Sequence, residues 1–481
     1  MRSVIIATVI FLSYVLPAHT QLDIQLESTY QHPDIANAQL SVSVRSTTGE
    51  VLYERDPDIL LMPASTLKTI TTMSVVGILG ADYHYNTIIG YTGEITADGT
   101  LYGDLIIKGS GDPSLGSGED EQVEDMNQVI GRILDAIEQK GIKCINGYLL
   151  IDDSVFDHEA VHPGWPWDDL CNYYAAGVWG INFNENRYEI VFDRSAKPNM
   201  PTSIKSVTPS LPQLQLENRV TTGAIGSYDE AYLYGDPYGW DVYASGTIPP
   251  GQGDFDIEGA VPDGGMFLGE LILQRLEAGK IKIKGVKKTG PTDIAKYHQL
   301  LALQSPSIRG LAKFALSKSD NLYCDALLKT IGYNANGIGT WESGVEGIKD
   351  YVKSMAGTTD GYKQVDGSGL SSRNRVSPSF MTSFLQKQVE KIGIEEMKYL
   401  LPVVGKEGTV KNFLNGTNAQ SHAWLKSGSI SSVVAYAGVL ELKDNQHVMI
   451  SISSNGHQVT NRKARKQIEQ IIEMIYNDLN K

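Results

Sequence analysis

Three cysteines in 481 residues are too few for a disulfide scaffold; their spacing leaves Cys144 and Cys171 open to pairing or to staying free, with Cys324 odd. Basic side chains are also scarce. Forty-one Lys and Arg stand against 56 Asp and Glu, and the net charge of −15 repels phosphate backbones, which excludes a general nucleic-acid binder. Beyond the first twenty residues no apolar run is long enough to span a bilayer. No repeat of fixed period is present either. What remains is an ordinary globular balance, 41% hydrophobic and 20% charged, with 48 Gly and 19 Pro. That composition suits a loop-rich α/β or α+β protein with room for two or three domains.

Residues 1–20 carry Arg2, the apolar run Val4–Leu16, and then Pro17, Ala18, His19 and Thr20. One positive charge, a short apolar segment and a small residue before a polar break predict a secretory signal peptide cut near Ala18 or Thr20. The alternative is an uncleaved anchor, but the run falls short of the ~20 residues a spanning helix needs. No Cys follows it, as a lipoprotein would require. The expected chain is therefore exported, periplasmic or extracellular, and soluble or peripherally associated, with no stable membrane anchor after cleavage.

Alternation at Leu40, Val42 and Val44, a turn at Thr47–Glu50 and a second run at Val51–Tyr53 predict a hairpin. Ser65–Leu79 has Leu67, Ile70, Val75, Ile78 and Leu79 at helical spacing and Gly80 as a stop. Being apolar nearly all round, this helix is expected in the centre of a domain. From Tyr85 to about Pro291 the texture changes to short strand-like runs broken by Gly, Asn, Asp and Pro, such as Leu105–Lys108, Tyr148–Ile151, Tyr188–Phe192 and Ala231–Tyr234. Helical patterns return at Ile308–Ile331, Ser379–Ile392 and Arg462–Leu479, with strand-like runs at Ser432–Leu442 and Val448–Ser453 between the last two. The pattern predicts an α+β domain split into residues 21–85 and 291–481 by a β-rich insertion at 86–290, the insertion forming two subdomains.

Ser65-Thr66-Leu67-Lys68 places a hydroxyl and an amine three residues apart on one helical face. The helix N-terminus favours a developing negative charge there. A serine becomes a nucleophile when a nearby base takes its proton, and a desolvated lysine can be that base with its pKa lowered to roughly 7–8. Alone, Ser-x-x-Lys is usually a solvated helix face. Here it has company: Ser319-Asp320-Asn321 within a helical stretch, then Lys426-Ser427-Gly428 before the strand-like Ser429–Val434. That order is the one found in penicillin-binding proteins and class A β-lactamases, with Ser427 standing in the usual Thr place and keeping its hydroxyl.

With Pro63–Thr69, Gly103–Leu115 (GDLIIKGSGDPSL), Asp152–Phe156, Pro163–Leu170 (PGWPWDDL), Asp366–Asn374 (DGSGLSSRN) and Leu401–Thr409, the chain resembles the DD-carboxypeptidase/DD-endopeptidase family. These are the class C low-molecular-mass penicillin-binding proteins, and the resemblance covers nearly the whole chain after residue 20. It implies a split serine-transpeptidase-like domain, an antiparallel sheet flanked by helices, with a large insertion. It implies hydrolysis of D-Ala-D-Ala in peptidoglycan stem peptides, and of D-Ala cross-links, through an acyl-enzyme on Ser65, with no cofactor. By the same resemblance Lys68 is the base, Ser319 relays a proton to the leaving amine and Asn321 holds the substrate amide. Lys426 and Ser427 meet the terminal carboxylate, and the N–H groups of Ser65 and Ser429 form an oxyanion hole. Gly428, Ser368, Leu370, Trp165, Asp168 and Asp169 complete the expected substrate-binding set, Asp169 or else Asp168 receiving a free side-chain amine; the competing reading of the 165–169 stretch is a rigid loop whose tryptophans pack between domains. Stem peptides and β-lactams are the implied partners; a homo-oligomer stays open. Ser372 departs from the family's usual Arg, with Arg373 one place later. Nothing after Asn321 resembles the β-lactamase Glu-x-x-Leu-Asn stretch, so a bound β-lactam is expected to stay on Ser65.

Two other readings compete. His158-Glu159-Ala160-Val161-His162 is a literal H-E-x-x-H, with Glu185 a third candidate zinc ligand, but Pro163-Gly164 follows at once and no apolar stripe supports the helix such a site needs. A wall-binding or β-lactam-sensing protein would keep Ser65 without turnover. Gly109-Ser110-Gly111-Asp112-Pro113 lacks the ending of a phosphate loop and reads as a strand-end turn. Arg462–Leu479 carries Ile468, Ile471, Ile472 and Ile475 on one face, which suits docking against the domain's own sheet more than a membrane surface.

Overall fold

The computed structural model describes residues 25–481; the expected signal peptide lies outside the described residues. At the centre of the split domain is a five-stranded antiparallel sheet in the order Ala423–Ile430, Val433–Glu441, His447–Asn455, Gln39–Ser46, Val51–Arg55. The N-terminal hairpin thus pairs with a strand from the far end of the chain, Val42 opposite Ile452. One face takes Ile468, Ile471, Ile472 and Ile475 of the C-terminal helix Asn461–Leu479, so its apolar stripe is spent on the domain's own sheet. The other face carries Ala437, Val439 and Met449 into a helical layer. Leu67–Leu79 runs through that layer with every residue from Leu67 to Val76 buried, as its all-round apolar character requires.

The region after the Leu67–Leu79 helix has its own core, built on a mixed five-stranded sheet and three three-stranded sheets. It departs from expectation in two ways. Two helices, Met126–Gln139 and Gly264–Ala278, pack on it. Asp125 and Asp263 cap them by accepting from Gln128 N and Met266 N. His298–Gln304 then pairs with Asn86–Tyr91, so this sheet runs beyond the expected boundary at 290. The segment around Trp165 belongs to neither compartment cleanly: Val155, Phe156, Trp165, Ala175 and Val178 sink into the core of the helical layer instead.

Ile308–Ile331 is not one helix. Ile308–Lys318 stops at Ser319, which takes a left-handed conformation (φ 63°), and Asp320 caps a new helix, Asn321–Asn336, by accepting from Tyr323 N at 2.9 Å. The break turns Ser319 and Asn321 out of a regular helical face and toward Lys68 and Lys426. All three cysteines are free thiols, so Cys144 and Cys171 do not pair.

Candidate active site

Ser65 sits on a tight turn, Ala64–Thr66, that feeds the Leu67–Leu79 helix. Ala64 holds φ at 45°, a region non-glycine residues avoid, so this turn is held by its surroundings. Two close approaches hold it. A Cβ on Gly428 would stand 2.6 Å from Pro63 O and 3.0 Å from Ser65 N, and one on Gly369 (φ 84°) would stand 2.0 Å from Ala64 O. Only glycine lets the Ala423–Ile430 strand and the 366–371 loop come so near the nucleophile.

Lys68 is fully buried, and its Nζ donates to Ser65 Oγ at 3.0 Å, Asn321 Oδ1 at 2.6 Å and Ser368 O at 2.7 Å. Burial pushes its pKa below the ordinary lysine range, against the pull of Asp325, Asp320 and Asp366. Lys426 is equally buried; its Nζ donates to Ser319 Oγ at 2.9 Å and to Ser427 O at 2.7 Å. Burial, and then repulsion from Lys68, lowers it well below the usual value. Two hydroxyl–amine pairs therefore face one space, each amine dry and inclined to give up its proton.

That space is a cavity of about 660 Å³ lined by Ser65, Ser319, Asn321, Leu370, Ser429 and Asp169, with Asp168 and Ser372 at its edge. Asp169 accepts from Tyr174 Oη at 3.1 Å, and burial raises its pKa. The Tyr174 carbonyl in turn accepts from Asn321 Nδ2 at 2.6 Å. The amide of Asn321 is thus oriented from both ends, oxygen to Lys68 and nitrogen to Tyr174. At the other motif, Ser427 Oγ shares a 2.6 Å hydrogen bond with Thr409 Oγ1, and Ser429 Oγ accepts from Asn461 Nδ2 at 2.7 Å.

Several expected substrate contacts fall elsewhere. Trp165 is buried behind the cavity, donating from Nε1 to Asp366 Oδ2 at 3.0 Å and set edge-on to Trp341, so it offers the substrate no surface. Ser368 is also buried and takes part through its carbonyl on Lys68. Gly428 contributes the absence of a side chain. Lys426 lies beneath Ser319, leaving the Ser427 hydroxyl as the group of that motif with access from outside. Tyr174, Thr409, Asp325 and Asp366 were not among the expected site residues, because no spacing rule links a tyrosine carbonyl or a distant threonine to these motifs.

The H-E-x-x-H stretch forms a loop and not the helix such a site needs. Lys329 Nζ donates to Asp157 Oδ1 at 2.7 Å and to Glu159 O at 2.9 Å, while Trp341 Nε1 also reaches Glu159 O. His162 Nδ1 accepts from Gly164 N, and Glu185 pairs with Arg187 at 3.0 Å. Among the described residues no group of three or more His, Cys, Asp or Glu is arranged to hold a metal ion. The zinc-peptidase reading has no ligand set.

A strained serine turn, a buried lysine on its hydroxyl and a second Ser–Lys pair across the cavity are the arrangement of a serine acyl-transfer hydrolase. Residues 22–477 match the family model described as D-Ala-D-Ala carboxypeptidase 3 (S13), and the chain belongs to that family, the serine-type D-Ala-D-Ala carboxypeptidases. It is 27% identical over 453 residues to the D-alanyl-D-alanine carboxypeptidase of Actinomadura sp. strain R39, covering 91% of this chain and 81% of that one. It is 24% identical over 482 residues to D-alanyl-D-alanine carboxypeptidase DacB of Haemophilus influenzae, covering 98% and 96%. The crystal structure of penicillin binding protein 4 (dacB) from Haemophilus influenzae superposes with a TM-score of 0.81 at 23% identity, over 95% of this chain and 99% of that one. A second structure of that protein, complexed with a β-lactam, has a TM-score of 0.77 at 21% identity and the same coverage.

Proposed function

We propose that the chain cleaves D-Ala-D-Ala termini and D-Ala cross-links of peptidoglycan stem peptides through an acyl-enzyme on Ser65. The observation that carries this reading is the 3.0 Å contact between Lys68 Nζ and Ser65 Oγ, with the amine fully buried. Neutral Lys68 takes the Ser65 proton as Oγ bonds to the penultimate D-Ala carbonyl carbon. The N–H groups of Ser65 and Ser429 receive the oxyanion, each such donor being worth ~3 kcal/mol. When the C–N bond breaks, Ser319, backed by Lys426, gives the leaving amine its proton and takes in its place the proton that Lys68 holds, so that Lys68 is neutral again for deacylation. Water then attacks the ester, its proton passes to the Lys68 side, and Ser65 Oγ leaves as the hydroxyl. Asn321 holds the substrate amide with the Nδ2 hydrogen that Tyr174 does not use. Ser427 and Thr409 receive the terminal carboxylate through their hydroxyls, which share one hydrogen bond.

Penicillin enters as an acylating analogue of the same carbonyl, a proposal supported by the β-lactam complex of the Haemophilus influenzae protein. Export is the expected setting; no described helix is long and apolar enough to cross a membrane. Residues 21–85 and 291–481 are proposed as the reacting unit, with the return from the insertion drawn past Gln304 on the strand pairing. The test is labelled penicillin with wild type, Ser65→Ala and Lys68→Arg. Ser65→Ala should take no label. Lys68→Arg keeps the charge but cannot give up its proton, and should acylate roughly 10²–10⁴-fold more slowly. Equal labelling of wild type and Ser65→Ala overturns the reading. Steady-state D-Ala release, unaffected by a chelator, separates it from an idle β-lactam sensor and from a metallopeptidase.

A further inference from the structure

The geometry points to Asp325 as a positioning residue for Lys68, acting through the 366–371 loop; this rests on the reading of Lys68 as the base. Asp325 lies on the Asn321–Asn336 helix, one turn beyond Asn321, and has no exposed surface. Its Oδ1 accepts from Gly367 N at 2.6 Å and from Ser368 N at 3.0 Å. The carbonyl of that same Ser368 accepts from Lys68 Nζ at 2.7 Å. One helix therefore holds the amine twice: directly through Asn321 Oδ1, and indirectly by pinning the loop that presents the second acceptor. Oδ2 of Asp325 has no hydrogen-bond partner among the described residues, although it is buried.

A buried carboxyl group with one oxygen unsatisfied is costly, and a loop needs none to cross a helix. Its presence makes sense if what it fixes matters more than what it costs. The loop has a second buried acid for its own shape: Asp366 accepts from Gly369 N, Ser371 N and Asn374 Nδ2. With the internal geometry set by Asp366, the task left to Asp325 is placement of the loop against the helix, and so of the Ser368 carbonyl against Lys68. Without that acceptor the Lys68 amine loses one of the three contacts that fix its direction toward Ser65 Oγ. Misplacing a reacting group by about 1 Å costs about 100-fold in rate.

The experiment compares Asp325→Ala with Asp325→Asn in full-length protein, reading kcat and KM for D-Ala release, the penicillin acylation rate and the melting temperature. Asp325→Asn keeps an acceptor oxygen for Gly367 and Ser368 and should stay within about threefold of wild type. Asp325→Ala should lower kcat and the acylation rate by about 100-fold with KM nearly unchanged, since the substrate contacts are elsewhere. If Asp325→Ala acylates within threefold of wild type, or if Asn fails as badly as Ala, the inference is overturned. Lys68→Arg, assayed in parallel, keeps the two ideas apart. A slow Lys68→Arg beside a fast Asp325→Ala removes only the positioning role, whereas a fast Lys68→Arg removes the base assignment itself.

Discussion

Lys68 and Lys426 lie fully buried beneath the hydroxyls they serve, whereas Asp168 and Asp169 reach the cavity from the 165–174 segment with part of their surface in it. The amines are spoken for: Lys68 has three acceptors and Lys426 has two. Asp169 is steadied by one donor, the Tyr174 hydroxyl. The roles proposed for them, reaction and recognition, ask for opposite surroundings. An amine must be dry to be neutral near pH 7, and it must be held to point at one oxygen. A carboxylate that meets an incoming ammonium has to stay reachable, and gains from partial burial only as the ligand excludes water.

The sharpest way to break this comparison is to loosen the rigid side. Gly428→Ala pushes a methyl against Pro63 O and Ser65 N, both backbone atoms that cannot swing away. It should cut penicillin acylation by about 100-fold, read by the rate of label incorporation, while leaving the 165–174 segment untouched. Acylation at the wild-type rate would show that the serine turn has slack the structure does not suggest.

On the reachable side, Asp169→Asn should cost roughly 10- to 100-fold in kcat/KM on stem peptides with a free side-chain amine, the loss of a charge-assisted hydrogen bond of ~1.5–3 kcal/mol. A substrate with that amine acetylated, and penicillin itself, should react as before. Equal losses on both peptides would make the segment structural. The wiring from Asp169 through Tyr174 to Asn321 is why that outcome is worth testing.

The smallest effect on the reaction belongs to a carboxyl group of the same region that faces inward. Asp112 is buried, accepts from Ser114 N and Oγ, and burial raises its pKa to about 6. A folded-state value above the unfolded one means the protonated form stabilises the fold. That contribution is present below about pH 4 and is lost as pH rises through about 6. Asp112→Asn keeps the acceptor and removes the titration. Melting curves at pH 4 and pH 7.5 should show the wild type losing ground to the variant as pH rises, by about 3 kcal/mol at most, with kcat/KM unchanged. A pH-independent difference would show that Asp112 is not the group titrating.

Much of this molecule can be read from its chain. The hairpin, the Leu67–Leu79 helix and the C-terminal helix follow from apolar spacing, because each buries a face against its own domain. The Met126–Gln139 helix is hard to read from the sequence although Val129, Ile130, Ile133 and Ile137 lie on one face, since the surrounding glycine-rich strands set the texture of the region. The break at Ser319 has no such signal. An apolar pattern continues straight through it, and only Asp320, a capping residue in mid-run, hints that the helix restarts.

The reacting types were determined by the sequence alone: a serine and a lysine three apart share a face of the same turn whatever the rest of the protein does, and the two later motifs bring the second pair. Which groups would be dry, and what would hold them, was decided only by the tertiary structure. The acceptors that fix Lys68 come from residues 253 and 300 positions along the chain. Trp165, which the sequence leaves open to substrate contact or to packing between domains, is turned inward onto Asp366, 201 positions away. Hydrogen-bond partners at such distances obey no period, and desolvation is a property of everything packed around a group rather than of its neighbours in sequence.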